Sequence, residues 1–165
     1  MMFYGESFPD FIATLPQLSH LGYLPDVARL ELAMRRAYHA ADSTAIDPAS
    51  LGAMEPDALM STRLGLAPSL QLIRSPWPVH SIWRFNTQTD APKPAAQAED
   101  VMVLRAEFDP APHALPPGGG AFISALLASE TLGAAHDAAL QEAPDFDLGP
   151  ILALLIRNGA IISLH

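Results

Sequence analysis

The stretch from residue 23 to residue 43 constrains the fold most, because it predicts one amphipathic helix over residues 25–41. Pro25 suits a first helical position, where its missing N–H costs no hydrogen bond. Asp26 places a negative charge against the positive end of the helix dipole. Apolar side chains recur at helical spacing on one face, namely Val27, Leu30, Met34, Ala37, Tyr38 and Ala41. We therefore predict a core helix with a solvated, charged opposite face.

Proline and polar residues divide the rest of the first half into short elements. The pattern predicts a short helix or structured arm over residues 3–15, ended by Pro16, and a strand over residues 69–74. Further short helices are predicted near residues 48–53, 56–64 and 79–85. Residues 87–98 are polar, rich in alanine and proline and without apolar periodicity, which is typical of a linker or exposed loop. We accordingly expect a helical subdomain over residues 1–86 and a second subdomain over residues 99–165.

The second part has the order hairpin, three helices and final strand. A strand is predicted over residues 100–108, with Val101, Val103 and Arg105 on one face, and a returning strand at 113–115. Helices are expected at 120–129, 132–141 and 148–158, and a closing strand at 160–164. This order is that of a small winged helix, and it also resembles the peptide-recognition domains of the PqqD type. The predicted fold is therefore α+β, with a mainly helical first part and a winged-helix-like (PqqD-like) part containing a short antiparallel sheet.

The charge balance argues against nucleic acid and anionic membranes as partners. The chain of 165 residues has a formal net charge of −9 and a single lysine, Lys93. Nucleic-acid binding draws its nonspecific affinity from lysine and arginine, and anionic lipid surfaces attract the same residues. The candidate recognition helix, 148–158, carries one basic residue, Arg157, and follows Asp145 and Asp147. Phosphate would be repelled at the end of the helix that reads base edges.

The common catalytic and cofactor-binding patterns are missing from the sequence. It has no cysteine, which excludes disulfides and thiolate sites and agrees with a cytoplasmic location. The six histidines show no metal-ligand spacing, and no serine lies in a Gly-x-Ser-x-Gly elbow. The glycine run 118–120 lacks the Gly-Lys-Ser/Thr ending of a phosphate-binding loop. We predict no catalytic residue, no cofactor and no metal, and no signal peptide or membrane span is evident.

Two blocks of sequence resemble a known family. The first joins Phe-Pro-Asp-Phe at 8–11, Asp-Val-Ala-Arg-Leu-Glu at 26–31 and His-Ala-Ala-Asp at 39–42. The second joins Leu-Ala-Pro-Ser-Leu at 66–70 and Ser-Pro-Trp-Pro-Val at 75–79. In this order they resemble the HvfC/BufC family, with a more distant similarity to the methanobactin subunit MbnC. Relatives usually carry a helical domain before the first block, so we expect a fragment or a shortened member, and the family's DNA-binding label does not transfer.

The resemblance implies a non-catalytic partner of a TIM-barrel, multinuclear-iron enzyme that modifies a ribosomally made precursor peptide. In that interpretation the long helix and the Trp-Pro segment face the enzyme, and the second part captures the leader peptide by strand addition at an open edge beside residues 101–108. The candidate interface residues are Arg29, Glu31, Arg36, His39, Trp77, Val101, Val103 and Arg105. The alternative is a DNA-binding, winged-helix transcriptional regulator.

Overall fold

A computed structural model describes residues 5–165 and confirms the α+β fold class. The helices are α1 Phe8–Ala13, α2 Leu24–His39, α3 Pro48–Gly52, α4 Pro56–Ser61, α5 Val79–Thr87, α6 Gly119–Leu127, α7 Leu132–Glu142 and α8 Leu148–Arg157. The strands are β1 Leu64–Leu66, β2 Gln71–Ser75, β3 Glu99–Arg105, β4 Pro110–Ala114 and β5 Ile161–Leu164. The predicted arm begins outside the described residues, and its helical part is α1.

Helix α2 forms where the sequence predicts it, with Pro25 in its first turn and Leu30, Ala33 and Ala37 buried. Tyr38 was expected on the same apolar face, but it is 55% exposed. The buried stripe follows positions 30, 33 and 37, and Tyr38 lies about 100° further round the helix axis. The helix is therefore a core element, and its last turn reaches the surface.

The strands form two antiparallel sheets. β2, β3 and β4 make a three-stranded sheet in that order, and β1 pairs with β5. β1 has no counterpart among the predicted elements. The predicted boundary at 87–98 lies between α5 and β3, and strands on either side of it pair with one another in both sheets.

The three-stranded sheet is covered on both faces. Val101 and Val103 pack with Leu30 and Ala33 of α2 on one face, and Met102 and Leu104 pack on the other face in the larger core with Phe122 and other residues of α6–α8. The alternation predicted for residues 101–104 is confirmed. Burial of a large apolar side chain contributes roughly 1.5–3 kcal/mol, so β3 forms the centre of the molecule.

The position of β3 corrects the expected place of strand addition. β3 pairs with β2 over residues 99–103 on one side and with β4 over residues 101–105 on the other. Because both edges are occupied at residues 101–103, no further strand can add beside them, and residues 106–108 lie beyond the end of the strand. The outer edges of this sheet belong to β2 and β4 instead.

Hairpin, three helices and final strand follow in the predicted order, and local capping explains two of the helix starts. The Thr131 side chain accepts from Ala134 N at the start of α7, and the Asp147 carboxylate accepts from Gly149 N at the start of α8. Gly159 follows α8 with φ of +61°, as expected of a glycine after a helix end. The final strand pairs with β1 rather than with the hairpin. Among residues 5–165, no helix is long and apolar enough to cross a membrane.

Candidate functional site

A cleft of about 870 Å³ opens at one end of the three-stranded sheet. Its walls come from the end of β2, the start of β3, the segment after β4 and the end of α7. The apolar part of its lining consists of proline, leucine and alanine residues, namely Pro76, Ala98, Ala114, Leu115, Pro116 and Pro117. Charged and polar residues form the remainder, so the cleft combines an apolar wall with a polar one.

Arg74 bridges two carboxylates in this cleft. Its Nε lies 3.1 Å from Asp100 Oδ2, and its Nη2 lies 2.7 and 2.8 Å from the two oxygens of Glu142. The Asp100 side chain is only 18% exposed. Burial raises the pKa of Asp100 and the charge of Arg74 opposes that rise. The guanidinium therefore holds together β2, β3 and the end of α7.

The glycine run 118–120 makes close packing at this cleft possible. A Cβ on Gly120 would overlap the Asp100 carboxylate and lie 2.8 Å from Arg74 Nε. Gly118 adopts φ of +79°, and a Cβ there would lie 2.8 Å from the carbonyl oxygen of Ala139. The start of α6 thus lies directly against the charged group, at a distance that only glycine permits.

Glu99 is the fourth charged residue of the cleft, and it already has hydrogen-bond partners. Its carboxylate accepts from Ser81 N at 2.9 Å and from Ser81 Oγ at 2.5 Å. Ser81 lies in the first turn of α5, where a negative charge is favoured by the helix dipole. Glu99 therefore anchors α5 to the start of β3.

The two outer edges of the sheet differ in their hydrogen-bonding groups. Leu115 N donates to Asp100 O at 2.8 Å, so alternate residues of β4 face β3, and Pro110 and Pro112 face outward. Proline has no N–H, and the β4 edge therefore lacks donors at both positions. By the same alternation, Leu72 and Arg74 of β2 face away from β3, and no strand among residues 5–165 lies beyond them.

The structure places the predicted arginines of α2 in ion pairs with the chain itself. Arg29 Nη2 lies 2.7 Å from Asp10 Oδ1, and Arg29 Nη1 lies 2.5 Å from Asp26 Oδ1. Arg36 Nε lies 3.4 Å from Glu6 Oε1. The pair with Asp26 lies within α2, and the pairs with Asp10 and Glu6 link α1 and the segment before it to α2.

The other predicted positions on and around α2 lie at the surface. Glu31 is exposed, and His39 is exposed at the helix end, with its ring edge-on to Tyr38 at 5.1 Å between centroids. Trp77 is 41% exposed, and its ring packs against Gly22, where a Cβ would lie 2.9 Å from the indole. These side chains are accessible to a partner.

Three predicted interface positions are structural instead. Val101 and Val103 are fully buried under α2. Arg105, with a side chain 10% exposed, donates to Tyr38 O at 2.8 Å, Ala41 O at 3.3 Å and Asp42 Oδ1 at 2.9 Å. It satisfies carbonyl groups at the end of α2 that the helix cannot bond itself. None of the three can contact a partner while the fold is intact.

Sequence reasoning did not identify the charged group of the cleft. Arg74, Asp100 and Glu142 come from three elements separated by 26 and 42 positions, and each is an ordinary charge in its own segment. The glycine run 118–120 was the one local signal, and its role is to admit the carboxylate. Within residues 5–165, no cluster of histidine, aspartate and glutamate has the geometry to hold a metal ion.

Comparison with known proteins identifies no relative. No protein-family model matches the chain, and neither a curated protein nor a solved structure matches it. The HvfC/BufC resemblance therefore stays a prediction from the two sequence blocks.

Proposed function

We propose that this protein is a non-catalytic interaction module that binds an extended peptide segment along the outer edge of β2. The observation that carries the proposal is the contrast between the two sheet edges. β2 presents outward backbone groups with N–H donors at Leu72 and Arg74, whereas two of the three outward positions of β4, Pro110 and Pro112, have none. An added strand gains main-chain hydrogen bonds at the first edge and loses donors at the second.

The exposed aromatic residues support a larger partner as well. Phe8 and Phe11 of α1, Phe85 of α5 and Phe108 of the β3–β4 turn all lie at the surface, Phe108 with 80% exposure. Aromatic side chains are enriched in protein interfaces, where burying them contributes much of the affinity. Arg29 and Arg36 are paired with Asp10 and Glu6, so α1 and the residues before it lie against this part of α2. A partner that approaches α2 there meets α1, with its exposed Phe8 and Phe11.

The partner and the peptide follow from the sequence resemblance to HvfC/BufC. On that basis the partner is a TIM-barrel, multinuclear-iron enzyme, and the bound segment is the leader of its ribosomally made precursor peptide. The module supplies peptide binding and the enzyme supplies the chemistry.

The charge distribution disfavours the DNA-binding alternative. The side chain of Asp147 caps the start of α8, where a recognition helix would meet phosphate or base edges. Arg157 is in the last turn, at the opposite end of that helix. With a net charge of −9, the chain would also repel the phosphate backbone over long distances.

Affinity purification from the source cells tests the proposal, with Leu72→Pro compared against Leu72→Ala. Both variants lose the leucine side chain, but only proline removes the outward N–H. We expect a TIM-barrel iron protein to co-purify with the wild type. We also expect mass spectrometry to identify a bound precursor peptide, which Leu72→Ala retains and Leu72→Pro loses. Recovery of no such enzyme, or stoichiometric iron in the module itself, would contradict the proposal.

A further inference from the structure

The outer edge of β2 leads directly into the cleft. The backbone N–H and C=O groups of Leu72 and Arg74 point outward along this edge. Arg74 and Ser75, at the end of the strand, belong to the cleft lining. A segment added along β2 therefore has one of its ends at the cleft, whichever direction it runs. The side chain at that end must enter the cleft or be turned away from it.

The charges that line the cleft favour a cation. Two carboxylates, those of Asp100 and Glu142, face a single guanidinium, that of Arg74, whereas the Glu99 side chain lies on the opposite face of the sheet with α5. Glu99 is satisfied by Ser81, so Asp100 and Glu142 share Arg74. Glu142 is half-exposed, and both of its oxygens accept from the same Arg74 nitrogen, which leaves each oxygen able to accept from a second donor.

The apolar wall of the cleft selects among cations. Pro76, Leu115 and Pro117 line it beside the carboxylates, and a lysine or arginine side chain matches this arrangement because its aliphatic stem is apolar and its end is charged. An anionic side chain has only Arg74 to meet, and that guanidinium is already bonded to two carboxylates.

We propose that the peptide bound along β2 carries a lysine or arginine whose cation enters the cleft and binds Glu142 and Asp100. This inference rests on the proposed function, since it requires strand addition at the same edge. It adds the chemical class of the bound segment, an extended stretch ending in a basic residue.

The inference is tested with four short blocked peptides of alternating valine and threonine. Each peptide carries one residue type, lysine, arginine, glutamine or glutamate, at both of its ends. Binding to the purified protein is measured by fluorescence anisotropy at low and high salt. A charge-assisted hydrogen bond in a partly apolar cleft predicts about tenfold tighter binding of the basic peptides than of the glutamine peptide. Glu142→Gln should remove most of that preference, and high salt should reduce it.

Glu130→Gln is the matched control, because it also removes one exposed carboxylate but lies at the start of α7 rather than at its end. It should leave the preference unchanged. Equal binding of all four peptides by the wild type, abolished by Leu72→Pro, would overturn the basic-residue inference and leave strand addition standing. Preference for glutamate would overturn it in favour of Arg74 as the contact. Binding of none of the peptides would overturn the inference together with strand addition at β2.

Discussion

Replacing Gly120 by alanine should destabilise the protein, although the same change in a helix ordinarily stabilises it. Alanine is favoured over glycine inside helices by about 1 kcal/mol. At position 120 the added Cβ overlaps the Asp100 carboxylate and lies 2.8 Å from Arg74 Nε. The carboxylate must therefore move away from the arginine, or α6 must shift.

The expected loss follows from these two alternatives. A hydrogen bond to a charged group is worth about 1.5–3 kcal/mol, and overpacking a filled site costs about 1–3 kcal/mol. After the helix-propensity gain of about 1 kcal/mol, either alternative leaves a net loss of up to about 2 kcal/mol. For a domain of this size each kcal/mol lowers the melting temperature by about 2–4 °C, so a central estimate of about 1 kcal/mol gives a decrease of roughly 2–4 °C.

The assay is urea unfolding followed by circular dichroism, with thermal melts in parallel. Gly52→Ala is the control, since Gly52 ends α3 and a Cβ there has no neighbour within 4 Å. The control should be neutral or slightly stabilising. The double variant Gly120→Ala/Asp100→Ala removes the overlap and should be more stable than Gly120→Ala alone. A Gly120→Ala protein as stable as the wild type would refute the packing of Asp100 against α6.

Three further changes have signs that follow from the structure. Burial lowers the pKa of His80 and of His113 below the ordinary histidine value of about 6.5, so the unfolded chain binds more protons than the folded one. The free energy of unfolding should therefore fall as the pH drops below about 6.5, and urea midpoints that do not decrease between pH 7.5 and 5.5 would contradict this. Arg105→Ala leaves the end of α2 without its donors and should cost about 2–4 kcal/mol in urea unfolding, whereas Arg84→Ala, which breaks an exposed bond to Gln88, should cost less than 1 kcal/mol. Asp10→Ala should lower the free energy of unfolding by no more than about 1 kcal/mol, because its pair with Arg29 is exposed and the pair of Arg29 with Asp26 stays intact. It should nevertheless speed hydrogen exchange in α1, and unchanged exchange there would show that the ion pair does not hold the arm.

Apolar periodicity within a segment was sufficient to predict the helices that bury one side. α2, α6 and α8 have apolar spacing that any helix of their length must show when one side is buried, and the predicted ends lie within a few residues of the observed ends. β1 could not be found in this way. It is three residues long, and it is a strand because Leu64 pairs with Leu164 at the other end of the chain. Such pairing leaves no local trace in the sequence.

The sequence did contain one signal about the sheet that the strand-addition hypothesis did not use. Residues 101–104 are apolar without interruption, which predicts burial on both faces. A strand covered on both faces is commonly a central one, and a central strand has no edge to offer. The charged group of the cleft gave no comparable signal, because Arg74, Asp100 and Glu142 meet only after three elements have packed.

The architecture limits where the three-stranded sheet can bind a partner. Its two faces are covered by α2 and by the larger core with α6, and the outward positions 110 and 112 of β4 are prolines. What remains of the sheet is the outer edge of β2 and the end that opens into the cleft, and these two meet at Arg74. Phe8 and Phe11 lie on α1, which packs on α2, so a partner that covers them contacts a different element. Peptide binding and enzyme docking can therefore occupy separate elements, and variants at Leu72 and at Phe11 should impair them independently.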